Sequence, residues 1–193
     1  MRLWVRPMTT TSNSEPREPT IVIDTREQEP YSFDTWRVNS VRKALPAGDY
    51  SLAGYEETLA VERKSLDDLV STVIWGRKRF LRELAKLAEY EAACIVVEAH
   101  MEDIVRGKYR SHATPHSVLG SLVSIHVDYG IPVFCCSNRQ IACYYVAMFL
   151  LRYHRKVSAE KCQPITRNKE NESAYEDGSP SCSTQEPDSR PDG

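Results

Sequence analysis

The hydrophobic pattern of this chain changes its period at Ser65, and that change limits the folds available to it. Before Ser65, apolar residues occur in short runs, such as residues 20–24 and 58–64, which are typical of β-strands. After it, apolar residues such as Leu69 and Val73 recur at helical spacing. Strands first, then helices alternating with strands, predict an α/β domain of three layers with a central mixed β-sheet flanked by helices.

Turn and cap residues set the bounds of the predicted elements. Pro46 and Gly48 close the run 38–45, which we interpret as a strand, although a short helix is also compatible with it. Ser65 and Asp68 form a helix-start signature. The predicted strands are residues 20–24, 38–45, 50–52, 58–64, 94–98 and 131–136. The predicted helices begin at Ser65, run from Gly76 to Glu91, run from Pro115 to Tyr129, and run from an Asn138 cap to about His154.

Length and charge predict one folded domain with polar ends. We expect residues 1–18 to be disordered, residues 19–157 to form the domain, and residues 158–193 to form a disordered acidic tail. The tail carries four Lys or Arg against eight Asp or Glu, which leaves 21 basic against 19 acidic residues elsewhere. The domain is therefore mildly basic, which permits nucleic-acid binding without requiring it.

The sequence also indicates where the protein resides. It contains no apolar stretch of the length of a membrane span, and its first residues lack the apolar core of a signal peptide. The six cysteines form neither a CxxC pair nor a zinc-ribbon spacing, and those at 94, 135, 136 and 143 stand in apolar runs. We therefore expect a reduced, cytoplasmic protein that does not contact membranes.

Two acids and a lysine in the segment 48–68 predict a catalytic site. Asp49 begins one short apolar run, and Glu62 and Lys64 end the next. Because side chains alternate along a strand, Glu62 and Lys64 face one side and Arg63 the other. If the two runs pair, Asp49 comes close to the face of Glu62 and Lys64. Two carboxylates and an ammonium on one face suit a hard cation and a phosphate.

Phosphodiester hydrolysis requires these groups. Mg²⁺ takes few protein carboxylates and several waters, so Asp49 and Glu62 are the candidate metal ligands, with Asp24 at the end of the first strand as a third. Lys64 would orient the attacking water or the scissile phosphate. Asp68 faces back toward this site, although a role as partner of the helix cap is equally compatible.

These residues carry a resemblance to a known family. The Gly48-Asp49 pair, the Glu62-Arg63-Lys64 run and Asp68 resemble the signature of the XPF-type structure-specific nucleases. The segment 24–27 (DTRE) is similar to the first-strand motif of that family, and Gly76-Arg77 to a further element. The similarity covers roughly residues 21–155, which is nearly all of the predicted domain.

The resemblance implies a restriction-endonuclease-like fold of the PD-(D/E)XK type. It implies an endonuclease that uses Mg²⁺ or Mn²⁺ to cut branched DNA, such as flaps and forks, in repair or recombination. By position, Asp49 and Glu62 would be metal ligands and Lys64 the water-positioning residue. The supporting acids would be Asp24, Glu27 and Asp68, and Arg63 would be a motif member with a less defined role. Larger members carry a helix-hairpin-helix module after the nuclease domain, whereas the sequence here continues with an acidic tail. We therefore expect a short, stand-alone form of the bacterial or phage kind.

A basic helix follows the motif. The helix from Gly76 to Glu91 displays several Lys and Arg opposite its apolar stripe, which favours either phosphate contacts or an ordinary solvated face. The candidate DNA-binding residues are Arg26, Arg77, Lys78, Arg79 and Arg82.

The last helix is a candidate interface. Residues 141–151 contain no charge, which is typical of a helix that is buried or in contact with a partner. We expect a homodimer formed through the helix 138–154, with burial against the sheet as the alternative.

Three functions remain compatible with the sequence. The first is the metal-dependent DNA endonuclease. The second is a catalytically inactive, nuclease-fold protein that binds DNA, although a protein that has lost activity need not retain Asp24, Asp49, Glu62 and Lys64. The third is a phosphoesterase acting on RNA or small nucleotides, which the absence of an obvious base-stacking pocket disfavours.

Overall fold

A computed structural model describes residues 18–36 and 38–162, and it contains one six-stranded sheet with five α-helices. The strands are β1 (Thr20–Ile23), β2 (Asn39–Arg42), β3 (Tyr50–Leu52), β4 (Leu59–Ser65), β5 (Ala92–Glu98) and β6 (Val133–Cys135). The helices are α1 (Leu66–Ile74), α2 (Arg77–Leu87), α3 (Met101–Val105), α4 (Pro115–Tyr129) and α5 (Arg139–Cys162). A 3-10 turn spans Asp34–Trp36.

The strands form a mixed sheet in the order β2-β1-β3-β4-β5-β6. β3 is antiparallel to both of its neighbours, β1 and β4, whereas β4, β5 and β6 run parallel. Tyr50 pairs with Val61 across the β3–β4 hairpin. The hairpin therefore brings Asp49, which precedes β3, beside the charged end of β4.

Two hydrophobic cores lie on opposite faces of this sheet. One core packs α5 against the sheet through residues such as Val146 and Leu150. The other packs α1, α2, α3 and α4 on the second face, with Leu69, Phe80 and Leu122 among its members. The predicted α/β domain with a mixed sheet between helical layers is confirmed.

Strand β4 and the helix that follows it show how local sequence positions the site. The first three residues of β4 are fully buried, and the charged residues that follow lie toward the surface. Ser65 caps α1, because its Oγ accepts a hydrogen bond from the N–H of Asp68 at 3.2 Å. The charged end of the strand thus leads directly into a helix start, as the sequence predicts.

Element ends are where the predictions need correction. The run 38–45 forms only the short edge strand β2, with all four residues exposed, because nothing in the described structure covers that edge. Helix α3 has no predicted counterpart, since its five residues are too few to establish a period. Helix α5 continues to Cys162, past the predicted end near His154.

The longer α5 also changes the predicted boundary of the tail. Residues 158–162 are helical, and Val157 is buried against the core, so the helix passes through the expected boundary at 157. The predicted disorder of residues 1–17 and 163–193 lies outside the described residues. Among the helices that the structure describes, none has the length and apolar character required to cross a membrane.

Candidate active site

A polar cleft of about 680 Å³ opens where β4 meets α1 and α2. Its walls come from the segment after β1, the residue before β3, the end of β4, and both helices. The predicted site residues that line it are Arg26, Asp49, Glu62, Arg63, Lys64, Asp68 and Arg79. Folding therefore brings together most of the residues that the sequence singles out, from four separate segments.

Asp49 is held at the base of the cleft by the backbone of β4. Gly48 has a left-handed φ of 74°, and a Cβ there would lie 3.0 Å from the carbonyl oxygen of Val61, so glycine is required at this position. The N–H of Asp49 donates to that same oxygen at 2.8 Å, and the N–H of Arg63 donates to Asp49 Oδ2 at 2.7 Å. One hydrogen bond therefore fixes the backbone of Asp49 and the other fixes its carboxylate.

The charge of Asp49 is poorly compensated. Burial raises its pKa, and the neighbouring negative charge of Glu62 raises it further, to about 8. The hydrogen bond from the N–H of Arg63 opposes this rise without cancelling it. Two carboxylates that repel each other in a partly buried cleft form an environment that a bound cation would stabilise.

Lys64 stands beside this pair in a defined position. Its Nζ lies 2.9 Å from Glu62 Oε1 and 5.5 Å from the centre of the Phe80 ring. Burial lowers the pKa of Lys64, but the charge and hydrogen bond of Glu62 outweigh it and raise that pKa above its usual value. Lys64 is therefore a cation aimed into the cleft.

Arg63 points its side chain away from Glu62 and Lys64, in agreement with the strand alternation. Its Nε donates to Glu98 Oε1 at 2.8 Å and its Nη2 to Glu98 Oε2 at 3.0 Å. It also lies 3.5 Å from Glu27 and over the ring of Tyr31. The hydrogen bonds that Arg63 donates to Glu98 raise the pKa of Arg63. This guanidinium is held by the wall of the cleft.

Asp24 lies next to the cleft without lining it. The residue is fully buried, and its carboxylate accepts hydrogen bonds from the N–H, Nε and Nη2 of Arg26 and from the N–H of Leu45, at 2.6 to 2.9 Å. The side chain of Arg26 is the main reason that the pKa of Asp24 falls to about 2. These contacts occupy both oxygens. Unlike Asp49 and Glu62, Asp24 does not line the cleft.

Acids at the rim complete the site. Asp68 lines the cleft from the first turn of α1, and its Oδ2 accepts a hydrogen bond from Ser65 Oγ at 2.6 Å. Both interpretations of Asp68 therefore apply at once, since it faces the site and supports the helix start. Glu27 lines the opposite wall and is nearly buried.

The predicted DNA-binding residues divide into two groups. Arg26 and Arg79 line the cleft; Arg26 remains 70% exposed, and Arg79 pairs with Glu83 at 2.9 Å. Arg77 instead lines a small space between α2 and α4. Lys78 and Arg82 are exposed on α2 and line neither space.

Glu98 is a site residue that the sequence does not identify. It ends β5 and joins Arg63, the hydroxyl of Tyr31 at 2.7 Å, and Nη1 of Arg139 at 3.2 Å. Arg139 also donates to the carbonyl oxygens of Glu29 and Pro30. Arg63 and Tyr31 are 35 and 67 positions away from Glu98 in the sequence, so no spacing signal points to Glu98.

The chemistry of the donor set suits a hydrated divalent cation. Within residues 18–36 and 38–162, no group of three or more His, Cys, Asp or Glu side chains is arranged to hold a metal ion. Asp49 and Glu62 supply two carboxylates, and Mg²⁺ characteristically combines one or two carboxylates with several waters. The mutual repulsion of the two acids is the observation that makes a cation fit here.

Comparison with known proteins agrees with this arrangement. The model of the ERCC4 domain matches residues 23–149. The chain belongs to the ERCC4-domain family. The matched range contains every residue of the cleft, so the family assignment concerns the site as well as the fold.

Individual relatives of this ERCC4-domain protein come from archaea. A protein of Methanocaldococcus jannaschii, described as a putative ATP-dependent RNA helicase, is 29% identical over 126 residues, which are 65% of this chain and 14% of the relative. The 3′-flap repair endonuclease Xpf of Saccharolobus solfataricus is 33% identical over 99 residues, which are 50% of this chain and 38% of the relative. The chain therefore spans well under half the length of either relative.

Solved structures share the fold. XPF from Aeropyrum pernix superposes with a TM-score of 0.58 at 25% identity, covering 74% of this chain and 68% of that chain. The structure of the same protein in complex with DNA has a TM-score of 0.56 at 23% identity and covers 76% and 68%. The resemblance to XPF-type nucleases, and with it the restriction-endonuclease-like fold, is confirmed.

Proposed function

We propose that this ERCC4-domain protein is a metal-dependent endonuclease that hydrolyses phosphodiester bonds in DNA. The observation that carries the proposal is the joint position of Asp49, Glu62 and Lys64 in one cleft, where burial and the charge of Glu62 disfavour the ionised form of Asp49. The buried negative charge of Asp49 destabilises the folded chain on its own, and a bound cation would remove that cost.

Each residue has a distinct role in this proposal. Asp49 and Glu62 would hold Mg²⁺ or Mn²⁺, which when bound would acidify a water and neutralise charge developing on the phosphate. Lys64, fixed by Glu62 and the Phe80 ring, would orient the attacking water or a phosphate oxygen. Arg63 would contribute its backbone, since its N–H holds Asp49 while its side chain stiffens the wall.

The remaining acids would support this centre. Asp68 and Glu27 face the cleft and would hold metal-bound waters. We assign Asp24 a positioning role in place of direct metal ligation, because Arg26 and Leu45 occupy its oxygens. Asp24 would fix the segment that carries Arg26 and Glu27.

The names of the relatives support DNA as the substrate. One is called a 3′-flap repair endonuclease, and one solved structure is a complex with DNA. We therefore propose branched substrates such as flaps and forks, cut during repair or recombination. Arg26 and Arg79 would contact phosphates at the cleft, while Arg77, Lys78 and Arg82 would add charge along α2.

We further propose a homodimer through the helix 138–154. Ile141, Tyr144 and Met148 share one face of α5 and remain exposed, while the opposite face is buried on the sheet. Exposed apolar residues that recur at helical spacing indicate a contact surface. Sedimentation of the wild type beside a Tyr144→Glu variant would test this, and a wild-type monomer at micromolar concentration would refute it.

A cleavage panel tests the catalytic proposal. Flap, fork, nicked, duplex and single-stranded DNA are incubated with Mg²⁺, Mn²⁺ or EDTA and the wild type, Glu62→Gln or Lys64→Ala. Cleavage should require a metal and fall by at least about 10²-fold in both variants. Glu102→Gln, an exposed acid paired with Arg106 on α3, is the matched control and should cleave as the wild type does.

The same panel separates the two main alternatives. DNA binding without cleavage under every metal condition would refute the nuclease and favour the inactive DNA-binding protein. Cleavage of RNA in preference to all DNA substrates would favour the phosphoesterase. Cleavage that Glu62→Gln leaves unchanged would show that another site carries the reaction.

A further inference from the structure

Trp75 is an exposed tryptophan whose side chain has no partner among the described residues. It follows the last residue of α1, and 77% of its surface is exposed, the largest exposed fraction of any large apolar residue in the described chain. Across residues 18–36 and 38–162, no ring stacks on its indole and no hydrogen bond reaches it. By contrast, Trp36 is half-buried and packs against Tyr144.

The backbone beneath this indole is tightly fixed. The N–H groups of Trp75 and Gly76 both donate to the carbonyl oxygen of Ser71, at 2.9 and 3.1 Å. A Cβ at Gly76 would lie 3.2 Å from the carbonyl oxygen of Thr72, so the turn into α2 is closely packed. Trp75 is also off the buried stripe of α1, which consists of Leu69, Val70 and Val73. The side chain is presented to solvent by a rigid turn.

The turn borders the candidate active site. Ser71, Thr72 and Gly76, the neighbours of Trp75 in the chain, all line the cleft that contains Asp49 and Glu62. Trp75 itself does not line the cleft; it lies in the chain between the cleft-lining residues Thr72 and Gly76, at the end of α1 opposite to Asp68.

Three basic residues follow Trp75 in the chain, after Gly76. They are Arg77, Lys78 and Arg79, all exposed in the first turn of α2, and Arg79 lines the cleft. Sites for single-stranded nucleic acid combine such cations, which follow the backbone, with aromatic rings on which bases stack. An exposed ring without nearby cations would suit an apolar partner as well as a nucleic acid. A ring followed in the chain by three cations instead favours a polyanion that carries flat bases.

We propose that Trp75 stacks on an unpaired base of the DNA strand that enters the cleft. The inference rests on the proposed function and narrows it, because a base inside a duplex offers no free face to the indole. Substrates with unpaired nucleotides beside the scissile phosphate gain this contact, and continuous duplexes do not. Trp75 therefore selects for single-stranded character, which the phosphate-binding residues cannot do.

Tryptophan fluorescence tests the contact without cleavage. A Trp4→Phe/Trp36→Phe variant keeps Trp75 as the one remaining tryptophan of three. Titration with oligothymidine in EDTA should quench its emission, whereas blunt duplex of equal length should quench it less. The matched control, Trp4→Phe/Trp75→Phe, reports from Trp36 and should not respond.

Affinity and cleavage provide the second measurement. Trp75→Leu keeps apolar bulk but removes the ring, and it should weaken binding to a single-stranded extension by about 5- to 100-fold. Its affinity for blunt duplex should stay unchanged, and Trp75→Phe should restore most of the loss. Val105→Ala, at an exposed apolar residue of α3, controls for general surface effects.

The outcomes separate this inference from the proposed function. If the wild type cuts branched DNA and Trp75→Leu binds and cuts it equally well, the stacking contact is refuted and the nuclease stands. Equal losses on single-stranded and duplex DNA would also refute it. A change of Trp75 emission with protein concentration, but not with DNA, would assign the surface to a second copy. Quenching by oligothymidine in a protein that cuts nothing would support the contact and refute the nuclease.

Discussion

Two aspartates at the ends of neighbouring strands of this sheet have opposite electrostatic surroundings. Asp24 follows β1 and Asp49 precedes β3, and the N–H of Asp24 donates to the carbonyl oxygen of Asp49 at 2.8 Å. The carboxylate of Asp24 accepts four hydrogen bonds from Arg26 and Leu45, and its pKa falls to about 2. Asp49 is half-buried beside Glu62, and its pKa rises to about 8.

The difference separates an acid whose charge stabilises the fold from an acid whose charge is available to a ligand. Hydrogen bonds to the charged form stabilise Asp24 as an anion, so its charge supports the local structure. Burial and a like charge destabilise Asp49 as an anion, so its charge weakens the fold unless a cation is present. Under the proposed function, two residues of one type in adjacent segments would thus serve stability in one case and chemistry in the other.

The largest expected effect is on cleavage. Asp49→Asn should reduce the rate by at least about 10³-fold, because it removes one of the two proposed metal ligands. Asp24→Asn should cost about tenfold, because it disturbs the neighbouring segment without removing a ligand. Single-turnover rates at saturating Mg²⁺ measure both. Equal losses in the two variants would abolish the distinction between them.

The two substitutions should have the reverse order of effect on stability, where the loss belongs to Asp24→Asn. Its folded pKa lies below its ordinary value of 3.8, so its charge stabilises the fold above about pH 4, and this contribution disappears as the pH falls toward 2. Asp24→Asn should therefore lower the free energy of unfolding by about 2 kcal/mol at pH 7 and by much less at pH 2.5. Urea denaturation at both pH values measures the difference. A loss that is independent of pH would contradict the assigned role of the charge.

Asp49 should respond in the opposite sense. Its folded pKa lies above its ordinary value, so ionisation costs stability as the pH rises from about 4 to about 8. In EDTA at pH 9, Asp49→Asn should increase the free energy of unfolding by about 1 to 2 kcal/mol, and at pH 4 by almost nothing. Mg²⁺ should stabilise the wild type alone. A variant less stable than the wild type at pH 9 would show that Asp49 is already compensated.

Arg26 provides the smallest and most specific change. Arg26→Gln removes the side chain that contributes most to the low pKa of Asp24, while the N–H of Leu45 still holds the carboxylate. Because the Arg26 side chain is largely exposed, the expected loss is at most about 1 kcal/mol. The acid limb of the stability curve should move to higher pH. An unchanged acid limb would assign the low pKa to the backbone donors.

The sequence predicts the part of the site that depends on local geometry. Strand alternation places Glu62 and Lys64 together, and the β3–β4 hairpin adds Asp49, so short-range rules are sufficient there. The same rules predict the start of α1 at Ser65 and the full extent of α4, because caps and period are local signals.

Other features depend on contacts that no spacing reveals. The role of Asp24 depends on the N–H of Leu45, 21 positions away, and that of Glu98 on Arg63, 35 positions away. The ends of elements are equally difficult to predict from the sequence. Helix α5 extends past His154 to Cys162, and Val157 in this extension packs against the core. Trp75 lies off the predicted stripe of α1, but only the structure shows that no other element covers its side chain.

The guanidinium of Arg139 makes the two faces of the sheet interdependent. It opens α5, lies 4.8 Å from the centre of the Tyr31 ring, and joins Glu98, which in turn holds Arg63 in the wall of the cleft. The first turn of α5 and the wall of the cleft are thus mechanically linked through two side chains. We therefore expect a displacement of that helix end, by a partner or by a substitution, to disturb Arg63, whose backbone N–H holds Asp49.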